Sequence, residues 1–549
     1  MLLMHTHFKM KLEKIKIGDK KVMPLTISSG IVTTQLSCLE RMAKEIPELG
    51  ILTTKSIGPE PRAGNREPIL AQYSRDCFIN AVGLTNPGAE EFARELAESD
   101  FPKDKFLLTS IFGKDVDEFV YVAKTLEEHV DGFELNVSCP HAKKVGMALG
   151  QDPKIVNEIT KAVVSRTGKP VFVKLTPNVD NIGEIAQSAV GAGAYGITAI
   201  NTVGPQDYLI DGNPVLTNKV GGLSGWRVFS RGIRCIKDIR QAVGEKIPII
   251  GMGGIGDGND VRDYAYAGAN VFGVGSTLAG KNDLEIKTFF HVLGIDLENE
   301  TNNSGGKLLK KVDMNYKPVE IDEVINEDSD FKIFKTNQKI EALPGQFVFA
   351  WIPGVGEKPF SIMDDDPLTL GILKRGEFTG HFNNLKPGED FYFRGPYGQG
   401  VDVPNDSNVV LVGGGCGVAG LYLLAKKFSE KADVISLLGA KDKSHLPYLE
   451  RFGRHGNLGV ATEDGSRGIK GTVADFFRES NLKEGSYFFN CGPRAMINAI
   501  LPLELEVSSS DKIYSSVDYM TRCGVGICGS CANEKGRRSC VEGPFMNSE

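Results

Sequence analysis

Four cysteines near the end of the chain, Cys523, Cys528, Cys531 and Cys540, are separated by four, two and eight residues. A C-x4-C-x2-C run with a fourth cysteine downstream is the pattern whose thiolates wrap a plant-type [2Fe–2S] cluster. Gly524, Gly526 and Gly529 remove side chains where backbone N–H groups have to approach the sulfurs. Zinc is the weaker alternative, because zinc sites favour two separated pairs of closely spaced cysteines. Structural thiols stand beside zinc as an alternative, and a disulfide reading is weaker still. A [2Fe–2S] cluster moves one electron at a time, so the rest of the chain has to provide an entry and an exit for electrons.

A second set of chemistry-bearing residues lies in the first half. Ser29-Gly30, Lys55-Ser56, Asn136 with Ser138-Cys139, Lys174, Asn201-Thr202, Gly253-Gly254 and Gly275-Ser276 sit at or just past the ends of short apolar, β-rich runs. Those runs are Leu25–Ser28, Ile51–Thr54, Phe106–Ser110, Gly132–Leu135, Val171–Lys174, Tyr195–Ala199, Pro248–Gly251 and Val271–Val274. Helical periodicity fills Ala89–Ser99, Asp115–His129 and Pro153–Thr167. Eight βα units in this length predict a TIM barrel, whose chemistry sits at the C-terminal ends of its strands. A doubly wound open sheet is the alternative. Glycine pairs after strands seven and eight are the usual phosphate site of such barrels and imply a phosphorylated cofactor such as FMN. Lys55 and Lys174 would offer positive charge to a flavin or an anionic substrate. Gly146–Gly150 reads as a lid.

The second half has a different texture. Asn299–Gly306 is polar and glycine-rich and reads as a linker. Gly345–Trp351, Pro359–Ile362, Leu368–Leu373 and Phe391–Arg394 predict a small β-barrel. Taken alone, Pro359–Ile362 also reads as a plain edge strand. Val409–Val412 then runs into the glycine loop Gly413–Gly420 and an apolar helix, the arrangement that holds a pyrophosphate on backbone N–H groups.

Bulk composition sets outer bounds. A chain of 549 residues is too long for one core and implies two to four domains. With 41% hydrophobic and 24% charged residues it belongs to the soluble globular class. Net charge −7 with no basic tract argues against a nucleic-acid partner. Ten cysteines, four of them in the spaced C-terminal set, form no disulfide scaffold and suit a reducing cytoplasm. Residues 1–10 carry two His and a Lys without a long apolar stretch, which fits neither a signal peptide nor a membrane span.

Several segments carry a family resemblance. Asn80–Gly88 (NAVGLTNPG), Glu134–Pro140 (ELNVSCP), Val173–Asn178 (VKLTPN), Gly221–Gly225 (GGLSG) and Ile249–Ile255 (IIGMGGI) resemble class 1 dihydroorotate dehydrogenase. The resemblance implies that Lys55, Asn80, Ala81, Val82, Gly83, Leu84, Asn136, Asn201 and Thr202 meet the pyrimidine substrate. It implies that Ser29, Gly30, Lys55, Ser56, Asn136, Lys174, Gly222, Gly253, Gly254, Gly275 and Ser276 hold FMN. Cys139 would be the catalytic base. Oxidising dihydroorotate removes a hydride from C6 and a proton from C5, and a thiol titrating at about 8.5 is partly ionised near neutrality. Serine in this position marks the class 2 relatives, so Cys139 also argues for the soluble class. His141 stands where the family often has Asn, and adds a group that titrates near neutrality.

The order β-barrel, nucleotide fold, iron–sulfur tail resembles the ferredoxin–NADP reductase superfamily, and within it the electron-transfer subunit of class 1B dihydroorotate dehydrogenase. Lys358, Pro359, Phe360 and Ser361 look like that family's Arg-Pro-x-Ser flavin motif, with a lysine point charge replacing the planar arginine fork. Thr379 and Gly380 fall at its FAD-diphosphate loop. Gly415, Gly417, Cys491, Gly492 and Pro493 fall in its nucleotide fold, together with Thr462–Ser466 and Lys470-Gly471.

The chain is thus expected to be a natural fusion of the two class 1B components. Residues 1–298 would form the FMN-binding TIM barrel, 299–306 a linker and 307–404 an FAD-binding β-barrel. Residues 405–510 would form an α/β NAD-binding domain and 511–549 the cluster segment. The expected reaction oxidises dihydroorotate to orotate in pyrimidine biosynthesis, with electrons passing from FMN through the cluster to FAD and NAD⁺. The expected assembly is a cytoplasmic homodimer without nucleic-acid or membrane partners. Two alternatives are an NAD(P)H-dependent dihydropyrimidine dehydrogenase, whose uracil substrate lacks the carboxylate that Lys55 and the asparagines suit, and a non-catalytic electron carrier. Lys441 and Lys443 leave NAD versus NADP open.

Overall fold

The structure is a computed structural model and describes residues 12–138, 149–299, 312–327, 330–517 and 519–547. Cys139 and His141, the opening stretch 1–10, residues 146–148 of the expected lid, and the expected linker apart from Asn299 lie outside the described residues. The chain divides into two compact units. One holds the chain up to Val312 together with Val525–Arg537, the other Asp313–Gly524 and the residues from Arg538 onward.

The first unit is built on a closed barrel of eight parallel strands. Leu25–Ile27, Leu49–Thr53, Phe106–Ile111, Gly132–Asn136, Val171–Leu175, Gly196–Ala199, Ile249–Met252 and Val271–Val274 follow one another around it in chain order. Every strand is buried, which is why each reads as a near-continuous apolar run rather than an alternating one. Three of the outer helices start on side-chain caps. Asp115 accepts from Glu118 N ahead of Val116–Leu126, Asp152 from Lys154 N ahead of Pro153–Val164, and Asp257 forms a capping box on Gly258–Ala267. A four-stranded antiparallel sheet is added to the barrel, from Leu70–Ser74, Cys77–Asn80, Val203–Asp207 and Val220–Gly225. Leu149–Gln151 forms a short 3-10 turn whose Gly150 N–H donates to Val137 O, so this end of the expected lid is tied down.

The second unit holds a closed six-stranded antiparallel barrel in the order Lys317–Asn326, Phe331–Thr336, Leu368–Leu373, Gly356–Asp365, Phe347–Ile352 and Asp390–Tyr397. Gly356–Asp365 is hydrogen-bonded on both sides, so the Pro359–Ile362 run is not an edge strand. A seven-stranded sheet follows, ordered Ile469–Lys470, Asn457–Thr462, Asp433–Ala440, Asn408–Gly414, Tyr487–Cys491, Ile513–Ser516 and Met546–Asn547. All its pairings are parallel except the last. Two segments of the tail from 511 extend this sheet, while Val525–Arg537 belongs to the first unit. No helix of the described residues is long and apolar enough to cross a membrane.

Candidate functional site

The C-terminal strand ends of the parallel barrel surround a cavity of about 770 Å³. Ser29, Gly30, Lys55, Ser56, Asn136, Lys174, Asn201, Thr202 and Gly222 line it, and so does the whole segment from Asn80 to Leu84. The volume lies in the range of small-molecule and cofactor sites. Gly253, Gly254, Gly275 and Ser276 do not line this cavity; they form the turns after strands seven and eight. Gly253 and Gly254 hold left-handed φ of +127° and +80°. A Cβ on Gly254 would fall 2.9 Å from Gly225 O. The two turns are tied together by Thr277 Oγ1, which donates to Ile255 O at 2.7 Å.

The asparagines are pinned by their neighbours. Asn136 Nδ2 donates to Ser56 Oγ at 3.0 Å, and Ser56 Oγ meets Ser110 Oγ at 2.9 Å. Asn201 Nδ2 reaches Asn136 Oδ1 at 3.5 Å, while Asn201 Oδ1 accepts from Thr202 N at 2.8 Å. Asn80 Nδ2 donates to Gly222 O at 3.2 Å. These bonds fix how each amide is rotated, so its remaining donor or acceptor faces are presented to a ring amide in one orientation. Glycine is required at two places. Gly30 holds a left-handed φ of +76°, and a Cβ on Gly222 would lie 2.0 Å from Thr202 Oγ1.

Beneath this layer Lys174 Nζ lies 3.4 Å from Glu134 Oε1, in a pair whose carboxylate is wholly buried. Thr176, Asn178 and Gln151 also line the cavity and were missed from the sequence. Thr176 and Asn178 directly follow the Lys174 strand, the position where barrel chemistry concentrates, so the signal was present. Asn178 donates to Thr202 O and accepts from Gly204 N, tying two strand ends together.

The same cavity is lined by Ile527 and Cys528. Val32 N–H donates to Ile527 O and Gly280 N–H to Val525 O, each at 2.7 Å. Gly524, Gly526 and Gly529 have φ of +80°, +70° and +70°, so the loop needs glycine for its left-handed turns. Close packing adds to this, since a Cβ on Gly529 would fall 2.2 Å from Val32 O. All four cysteines of the spaced set are buried. Cys528 and Cys531 belong to the first unit and Cys523 and Cys540 to the second. Among the described residues no three His, Cys, Asp or Glu are grouped for a single metal ion. A [2Fe–2S] cluster spreads four thiolates over two irons.

In the second unit, strand Asn408–Gly414 passes through a 3-10 turn at Gly415–Gly417 into helix Val418–Phe428. A cavity of about 1020 Å³ opens there, lined by Gly415 and Pro493 and also by Arg375, Lys441, His445 and Glu463. Gly417, Cys491 and Gly492 pack behind it: a Cβ on Gly417 would fall 2.2 Å from Cys491 O, and one on Gly492 3.1 Å from Gly414 N. Ser361 and Cys491 meet at the same helix, because a Cβ on Gly420 would lie 3.3 Å from Ser361 Oγ and 3.1 Å from Cys491 Sγ. Lys358, Pro359 and Phe360 lie on the same barrel strand as Ser361, and the Phe360 ring stacks on Phe378. Thr379 Oγ1 caps helix Glu377–Phe382 by accepting from Arg375 N and Gly376 N. Beside it Gly380 faces open space.

Residues 13–289 match the family model for dihydroorotate dehydrogenase. The chain belongs to the dihydroorotate dehydrogenase family. Residues 518–549 match the iron–sulfur cluster binding domain of dihydroorotate dehydrogenase B, so both modules stand in one polypeptide of this family. The chain is 43% identical over 259 residues to the dihydroorotate dehydrogenase B (NAD⁺) catalytic subunit of Methanocaldococcus jannaschii, covering 46% of this chain and 82% of that protein. The catalytic subunit of Pyrococcus horikoshii is 42% identical over 275 residues, covering 49% and 87%. That of Methanosarcina mazei is 38% identical over 298 residues, covering 54% and 92%.

Proposed function

We propose that this chain oxidises dihydroorotate to orotate in pyrimidine biosynthesis and passes the electrons to NAD⁺ within one polypeptide. The observation that carries the electron route is that Cys528, one of four cysteines in plant-type spacing, lines the cavity that also holds Lys55, Asn136 and Lys174. The residues fit the groups the family implies. The cavity presents two lysines, three pinned asparagine amides and a buried Ser138 hydroxyl without a hydrogen-bond partner among the described residues. When bound, FMN would accept the hydride from C6, the cluster would relay single electrons, and FAD would deliver a hydride to NAD⁺.

The chain's own residues do the rest. The Lys55 ammonium would hold the substrate carboxylate, which a uracil lacks, and Asn80, Asn136 and Asn201 would present amides to the ring. That is the observation against a dihydropyrimidine substrate. Cys139 would take the C5 proton as general base. Lys174, backed by Glu134, would supply fixed positive charge at the flavin. Ser361, Gly417, Gly420 and Cys491 would shape the FAD site, and the cavity at Gly415 and Pro493 would take the nicotinamide dinucleotide. Fusion holds one half at high effective concentration for the other. The proposed assembly is a cytoplasmic homodimer.

Anaerobic mixing of dihydroorotate with the full chain, loaded with FMN, FAD and iron–sulfur, tests this. Flavin absorbance should bleach, and NAD⁺ should be reduced faster than NADP⁺, fumarate or a quinone. Absence of bleaching removes the substrate assignment, and bleaching without NAD⁺ reduction removes the electron route.

A further inference from the structure

Arg394 is completely buried inside the six-stranded barrel, where an unpaired charge would be costly. Its compensation is unusually complete. Nε and one terminal nitrogen bind the two oxygens of Glu357 at 2.7 Å each, and Glu357 is as deeply buried. The Tyr316 hydroxyl donates to the same carboxylate. The Phe349 ring lies 4.0 Å from the guanidinium carbon, in register with Arg394 on the neighbouring strand. This leaves the other terminal nitrogen, and it donates to the backbone carbonyl of Cys523 at 2.9 Å. The next residue is pressed against the same group: a Cβ on Gly524 would fall 2.8 Å from the Phe349 ring and 3.3 Å from that nitrogen. A lysine has no planar fork and cannot reproduce the bidentate pair with Glu357 while reaching the Cys523 carbonyl from the same position.

We propose that Arg394 is a positioning residue for the cluster ligand Cys523. Sheet register and Glu357 hold the guanidinium, and the guanidinium holds the ligand loop and sets the charge beside it. This rests on the reading of the four cysteines as [2Fe–2S] ligands.

The test uses the full chain with its cluster reconstituted, comparing wild type with Arg394→Lys, Arg394→Met, Glu357→Gln and Tyr316→Phe. The readouts are iron release to a chelator, the paramagnetic spectrum of the reduced cluster, and its midpoint potential. Loss of a group that orients a metal ligand weakens metal binding by about 10–100-fold, so both Arg394 variants should release iron faster by that order and show an altered spectrum. Glu357→Gln leaves a guanidinium that cannot give up its proton, so the cluster potential should rise. A merely structural role loosens the loop without that signed shift. Tyr316→Phe should leave the potential unchanged, because the charge pair survives. Wild-type iron release and spectrum in Arg394→Lys overturn the proposal, as does an unshifted potential in Glu357→Gln. Should Arg394→Met fail to fold, those two variants decide. A wild-type chain lacking [2Fe–2S] signals overturns the cluster reading itself, and this proposal with it.

Discussion

Lys174 and Glu134 oppose each other inside the closed parallel barrel, Nζ to Oε1 at 3.4 Å, and the second carboxylate oxygen of Glu134 has no hydrogen-bond partner among the described residues. Burying such a pair is tolerable only while both partners are present. Lys174→Met should therefore destabilise the first unit by about 3–5 kcal/mol. The double variant with Glu134→Gln should lose less, because no charge is stranded. Urea unfolding of the three proteins, followed by amide exchange in strand Val171–Leu175, measures the difference. Equal losses in single and double variants would mean that the pair is not coupled.

Cys139→Ala should retain FMN, since the proposed role of this side chain is toward substrate. Flavin reduction by dihydroorotate should slow by roughly 10²–10⁴, the usual worth of a positioned base. Cys139→Ser should recover part of the rate at high pH. Stopped-flow traces at several pH values report both effects, and an alanine variant at near-normal speed takes Cys139 out of the mechanism.

Cys528→Ser should separate the half-reactions. A hard oxygen replaces one soft ligand, so the cluster should be lost or labile. Flavin bleaching by dihydroorotate should continue, as should dye reduction by NADH. Only dihydroorotate-dependent NAD⁺ reduction should collapse. Coupling at normal speed in a variant without cluster signals contradicts the linear route.

Burial raises the Glu504 carboxyl to about 7, although it accepts a hydrogen bond from Asn490 Nδ2 at 2.9 Å. The native state thus binds this proton more tightly than the unfolded chain does. The stability that follows is whole below the ordinary glutamate range and is lost as pH rises from there through about 7, a change of about 3 kcal/mol. Glu504→Gln should flatten this slope and be the more stable protein at pH 8. Amide exchange in helix Arg494–Val507 between pH 5 and 8 reads it directly. A slope shared by both proteins assigns the effect to another group.

What was legible in the sequence follows a physical divide. All eight parallel strands were visible because each is a short run buried on both faces, as in VFVKL at Val171–Leu175. The added sheet was not, since Val203–Asp207 (VGPQD) and Val220–Gly225 (VGGLSG) carry neither alternation nor β-rich content. Their pairing comes from long-range register with Cys77–Asn80. Motif residues were found where side chains face a cavity, as with Lys55, Asn136 and Asn201. Thr379 carries a role that its motif position did not announce, since its hydroxyl also caps helix Glu377–Phe382. The Arg394–Glu357 pair joins positions 37 residues apart that no spacing rule connects.

The excursion of Val525–Arg537 into the first unit bears on how the protein is made. A wall of the first-unit cavity, Ile527 and Cys528, is encoded only after the whole of Asp313–Gly524, which belongs to the other unit. The ribosome must deliver Asp313–Gly524 before that wall exists, and the backbone donors of Val32 and Gly280 wait until then for Ile527 and Val525. A premature stop after Gly524 would therefore damage the first-made unit as well as the second, and neither unit corresponds to one uninterrupted stretch of gene.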